Sequence, residues 1–95
     1  MIINLSPQVS SKELVLSVDG DVLTVNGQEL DFSVIPDGAT LPADAVDNEF
    51  IIGSVERIGG VIRLTTVLPI TYQASASARF PSSLNQTSGQ VELPS

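Results

Sequence analysis

Two dipeptides, Asp19-Gly20 and Asn26-Gly27, constrain this chain more than any other feature in it. Asp-Gly and Asn-Gly suit two-residue type I′ hairpin loops, because both central residues need φ > 0. Short apolar-alternating runs flank each of them, so they predict a three-strand meander over Leu14 to Phe32. Taking each dipeptide as a loop sets Leu16 opposite Leu23 and Leu14 opposite Val25 across the first. Across the second it sets Val25 opposite Gln28, Leu23 opposite Leu30 and Asp21 opposite Phe32. Leu16, Leu23 and Leu30 then share one row, and a slip of one residue would turn them all toward water. The other face carries Ser17, Thr24, Glu29 and Asp31 among others, and is expected to meet water or a partner.

A second hairpin is predicted from Phe50 to Leu68 around Gly59-Gly60. Its register pairs Ile58 with Val61, Glu56 with Arg63, Ser54 with Thr65 and Ile52 with Val67. On the other face it pairs Arg57 with Ile62, Val55 with Leu64, Gly53 with Thr66 and Ile51 with Leu68. Gly53 inside the strand marks a bulge or a close approach. Both faces carry apolar residues, which predicts cover on both sides over part of the length. The connection between the hairpins holds the turn Pro36-Asp37-Gly38 and one helical turn over 42–46 with Pro42 at its first position. Residues 1–5 read as an edge strand or an arm that Pro7 stops. After Pro69 the chain turns rich in Ser, Ala and Thr. It reads as a C-terminal arm over 70–95, with a possible short strand at 90–93, beside a β domain over 1–69. The expected fold is all-β: an antiparallel meander and a second hairpin forming a small sandwich or open barrel, with at most one short helical turn. Phe32 and Phe50 are expected in its core.

Ninety-five residues make one small domain with a modest core. There is no cysteine and no histidine, which removes disulfides, thiolate metal sites and the commonest general base. Net charge is −7, the reverse of what a phosphate backbone or an anionic membrane attracts, so neither nucleic acid nor membrane is an expected partner. The N-terminus lacks the basic and apolar regions of a secretion signal, and no apolar window approaches the ~20 residues of a membrane span. The chain is expected to be soluble, made in a cytoplasm, and to remain there or join an assembly.

From Glu13 to Glu49 the chain carries nine acids and no Lys or Arg. One-sign fields of this kind either solubilise a small protein or face a basic partner. Asp31, Asp37 and Asp44 are the candidate contacts of the second kind. Asp19, Asp21 and Asn26 do not make a calcium loop, since Val22, Leu23 and Val25 stand where ligands are needed. Glu29 with Asp31, or Asp44 with Asp47, could form an acid pair, but catalysis would also need a cleft and a raised pKa. No nucleophile elbow, phosphate loop or dinucleotide fingerprint is present. The expectation is a protein that is not an enzyme and takes no cofactor. In the polar segment after Pro69, Tyr72 and Phe80, beside Arg79, are either anchors for a partner or caps on the chain's own core.

Three motifs carry a resemblance. They are Gly-Asp-x-Leu-Thr-x-Asn-Gly-x-x-x-Asp-Phe-Ser at 20–33, Pro-x-Gly-Ala-Thr-Leu-Pro-Ala-x-Ala at 36–45 and Val-Glu-Arg-Ile-x-Gly at 55–60. Together they resemble a family of small acidic proteins encoded by tailed bacteriophages and prophages among tail and tail-fibre genes. The likeness covers 1–69; beyond it only Phe80-Pro81 and the ending Val91-x-Leu93-Pro94 agree. It implies no catalytic residue. What it implies is a virion component or a helper of tail assembly, acting through protein–protein contacts with itself or a phage tail protein. The N-terminal strand and 91–93 are the expected shared pieces of an oligomer. The alternative is a small acidic inhibitor that binds a basic surface of a host protein.

Overall fold

The computed structural model of the chain describes residues 1–71, 73, 76–79 and 81–93, with only the backbone of Ser77 and Arg79. Its strands form two open sheets. The first contains β1 (Ile2–Val9), β5 (Thr40–Leu41), β6 (Ile51–Ile58), β7 (Val61–Ile70) and β8 (Leu84–Asn85), in the order β5-β6-β7-β1-β8. The second contains β2 (Leu16–Asp19), β3 (Val22–Val25), β4 (Gln28–Asp31) and β9 (Ser88–Gln90), in the order β4-β3-β2-β9. The sheets share one aliphatic core, so the all-β expectation holds and the form is a sandwich, not a closed barrel. Ile3, Val55, Ile62 and Leu64 meet Leu16, Leu23 and Val25 across it, and Phe32 and Phe50 are buried with them. Each such side chain contributes about 1.5–3 kcal/mol when fully buried. Helical structure among the described residues is limited to the 3-10 turn Ala43–Ala45 and a single turn, α1 (Ala76–Arg79).

The meander forms with one change of register. The second loop is Asn26-Gly27 as expected, and Leu23 stands opposite Leu30. The first loop is Gly20-Asp21, not Asp19-Gly20, so Leu16 pairs with Val25 and Val18 with Leu23. Gly20 has φ +61 while Asp21 is not in the positive-φ region. That is the pattern of a II′ loop, in which glycine takes the first central place. Moving a loop by one residue shifts the pairing by two, so the buried face is unchanged. Leu16, Leu23 and Leu30 are all buried, although Leu16 and Leu23 are not directly opposite.

In the second hairpin Ile58↔Val61, Arg57↔Ile62 and Glu56↔Arg63 stand as predicted, though Glu56 and Arg63 form no ion pair. Beyond Glu56 the expected pairs fail. Ile52 faces Thr65 and Ile51 faces Thr66, because three residues of β6, 53–55, stand against Leu64 alone. Gly53, at φ +69, is the pivot of this bulge. The turn near 42–46 is present, but Pro42 precedes it with an extended backbone instead of opening it.

The largest correction concerns the chain ends. β1 does not stop at Pro7 and is not an arm; it runs to Val9 and pairs in parallel with β7 from Ile2↔Arg63 to Val9↔Ile70. Pro7 is tolerated because β8 covers only Ile2 and Ile3, so among the described residues no strand needs a donor from its other side. Nor does the sheet break at 69. β7 passes through it, β8 joins β1, and β9 pairs with β2. The terminal strand lies at 88–90, and Val91 after it is buried and donates its N–H to Leu16 O at 2.8 Å. The pieces expected to be shared with another copy are thus used within the chain.

Candidate functional site

The sandwich is sewn at both ends of the strand order. At one end the corner 86–87 carries the chain from β8 to β9. At the other, residues 32–39 carry it from β4 to β5, and here the polar side chains concentrate.

Arg57 organises this second end. It sits on β6 opposite Ile62, at a register position that faces the core. A guanidinium cannot be left unpaired there, and every contact it makes is to the crossing segment or a hairpin loop. Nε donates to Ile35 O at 2.6 Å, Nη1 to Gly60 O at 3.2 Å, and Nη2 to Asp21 Oδ2 at 2.8 Å and Phe32 O at 3.3 Å. Its side chain is 14% exposed against 37% for Asp21, so the pair is only partly screened. The backbone of Arg57 is engaged as well: it donates to Ala39 O and accepts from Gly38 N.

The candidate acids fall around this staple. Asp37 accepts the Gly60 N–H at 3.0 Å, which ties the crossover to the tip of the β6–β7 hairpin. Asp31, exposed at the end of β4, accepts the Ser33 N–H at 2.9 Å. Hydrogen bonds from Ser33, its side chain first and its backbone next, hold the Asp31 carboxyl below the ordinary carboxylate value. Asp44 stands apart in the 3-10 turn, exposed and sharing no bond with this network. The structure therefore brings Asp31 and Asp37 to the two ends of one crossover and leaves Asp44 outside it. Tyr72 and Phe80 lie outside the described residues, as does the side chain of Arg79.

Sequence reasoning gives Gln86 no role, places Arg57 only opposite Ile62, and treats Asp21 and Asn26 only as hairpin residues and rejected calcium ligands. Asn26 accepts the Val15 N–H at 2.7 Å and donates to Glu13 O at 2.9 Å, which fixes the approach to β2. Gln86 Nε2 donates to Ser88 O, Gly89 O and Gln90 O at 2.9–3.0 Å. A signal did exist for Arg57, since an arginine on an apolar face requires a partner. Nothing in the sequence says which acid supplies it.

Away from the crossover, Lys12 pairs with Glu49 at 3.0 Å on the surface. It lies between two open grooves, one of about 350 Å³ lined by Leu14, Val15, Leu68 and Leu93, the other of about 190 Å³ lined by Gln8, Val9, Phe50 and Val67. Among the described residues no three His, Cys, Asp or Glu side chains gather as a metal site would need, and no helix is long and apolar enough to cross a membrane. Comparison of the chain with protein-family models, curated proteins and solved structures returns no match.

Proposed function

We propose that this is a non-catalytic structural or assembly protein of a bacteriophage tail or tail fibre, working through protein–protein contacts. The observation that carries the reading is where the polar side chains go. Arg57, Asp21, Asp37, Asn26, Gln28 and Asn48 are bound to one another or to backbone, joining segments distant in sequence, and Gln86 binds the carbonyls just after it. Most of the remaining carboxylates are exposed to solvent. A chain that spends its polar chemistry on holding a shape has that shape to offer a partner. The motifs at 20–33, 36–45 and 55–60 supply the phage context. Mass spectrometry of purified particles tests it: the chain is expected at fixed stoichiometry, or in tail intermediates if it acts in assembly. Its absence from both would overturn the reading.

A second reading, a small acidic inhibitor of a host protein, has its own support in the eleven acids against four basic residues. Two of those four, Lys12 and Arg57, are already paired with acids. Complex formation driven by charge weakens steeply with salt, whereas a packed structural contact holds. Charge reversal at Asp31, Asp37 and Asp44 would abolish the former and barely change the latter.

A further inference from the structure

β4 borders its sheet, with β3 as its one strand neighbour among the described residues. The Phe32 N–H donates to Asp21 O at 2.9 Å, so residues 21 and 32 form a hydrogen-bonded pair. Such pairs alternate along an antiparallel ladder. In the observed register Leu30 and Gln28 therefore also turn their groups toward β3. The N–H and C=O of Glu29 and Asp31 point the other way, out of the sheet, and none of these groups has a partner among the described residues.

The far edge of the same sheet is treated differently. Gly20 N–H to Thr87 O and Val91 N–H to Leu16 O set the alternation on β9, so Ser88 and Gln90 face outward. Their carbonyls are taken by the Gln86 side chain, at 3.0 and 2.9 Å. The chain thus caps the outward carbonyls of one edge with its own amide and leaves those of the other bare. The bare edge is also fixed in place. Gln28 Nε2 donates to Asp47 O at 2.7 Å and Asn48 Nδ2 to Gln28 Oε1 at 3.2 Å at its start, and Ser33 N–H holds Asp31 at its end. An edge held straight in advance loses little freedom when a strand is added to it.

Charge selects the occupant. Glu29 and Asp31 are exposed and project on the solvent face of the sheet, beside the positions an added strand would fill. Arg57 is bound to Asp21 and Lys12 to Glu49, and Arg63 belongs to the other sheet, so the described residues supply no cation for this edge. Cross-strand pairs of opposite charge favour addition and like charges oppose it. We propose that β4 is a docking edge that takes an extended segment of a partner protein bearing basic side chains at alternate positions. The proposal rests on the reading of this chain as a contact protein, and it names the contact.

The test uses the full chain, labelled with ¹⁵N, titrated with a peptide of alternating lysine and valine and with its glutamate counterpart. The basic peptide is expected to shift the Glu29 and Asp31 amides and to slow their exchange with solvent by about tenfold or more. The acidic peptide is expected to do neither. Glu29→Pro removes one outward donor at a place where an edge strand tolerates proline, and should weaken binding about tenfold. Glu29→Lys with Asp31→Lys keeps the backbone and should reverse the preference toward the acidic peptide. Absent shifts, shifts centred on another strand, or equal response to both peptides would overturn the proposal. The chain found in particles with an unresponsive β4 would remove this edge as the contact while leaving the tail reading in place.

Discussion

Arg57 Nη2 lies 2.8 Å from Asp21 Oδ2, joining β6 of one sheet to the β2–β3 loop of the other. The same guanidinium binds three carbonyls of the crossover and the hairpin tip, so the ion pair is one part of a larger junction. Removing the arginine leaves the Asp21 carboxylate and the Ile35 and Gly60 carbonyls without their donor, while Phe32 O keeps the Ile35 N–H. Removing only the charge of Asp21 leaves most of the junction intact. Arg57→Ala is therefore expected to cost about 2–4 kcal/mol, and Asp21→Asn about 1 kcal/mol or less. Urea unfolding of both variants measures the difference. Equal costs would mean that the ion pair, and not the carbonyl contacts, carries the junction.

Thr66 is fully buried in β7 and its hydroxyl has no hydrogen-bond partner among the described residues. An unpaired buried hydroxyl costs about 1–3 kcal/mol relative to one that is satisfied. Valine has the same branched shape without the polar atom and suits a strand equally well. Thr66→Val is expected to raise the midpoint of thermal unfolding, by about 4–8 °C for each 1 kcal/mol gained in a domain of this size. A lowered midpoint would reveal a partner for the hydroxyl.

Asn26 does two jobs in one loop: its φ of +50 suits the turn, and its amide holds the backbone of residues 13 and 15. Glycine at this position keeps the turn and loses both side-chain bonds. Aspartate keeps the acceptor for Val15 N–H but cannot donate to Glu13 O. Alanine loses both bonds and is strained at positive φ. The expected order of stability is Asn, then Asp, then Gly, with Ala last, across about 1–3 kcal/mol in chemical unfolding. Alanine matching glycine would show that the backbone of the turn contributes nothing.

How far the fold was legible follows from the range of each interaction. The Asn26-Gly27 and Gly59-Gly60 loops are local, and they set Leu23 opposite Leu30 and Ile58 opposite Val61 as the sequence predicts. Gly53 announced a bulge, but not its size, because the two extra residues answer to the packing of Ile51 and Val55 in a shared core. The first loop moved one residue because Gly20 alone, at the first central place, satisfies a II′ turn and leaves Asp21 in the loop beside Arg57. The parallel pairing of β1 with β7 spans about sixty residues of chain, and nothing within either segment encodes it. Pro7 argued for an ending, and would have been right had β8 been longer. The acids at 31 and 37 were visible as charges; that both bind backbone N–H groups is a consequence of the crossover.

Asp31 ties this crossover to pH. Its carboxyl lies below the ordinary value of 3.8 because Ser33 donates to the ionised form. A carboxyl whose folded pKa is depressed binds its proton less readily folded than unfolded, so the unfolded chain takes up the proton first as pH falls. The stabilisation is present in full above the unfolded value and disappears as pH drops through the folded one. Asp31 is fully exposed, so the change in stability is small, and the titration itself is the better measure. Carboxyl-detected NMR is expected to place the Asp31 midpoint below 3.8 in the native protein and to move it upward in Ser33→Ala, which keeps the backbone donor and loses the hydroxyl. An unchanged midpoint in that variant would assign the shift to the Ser33 N–H alone. It would also leave the end of β4 held by a single bond.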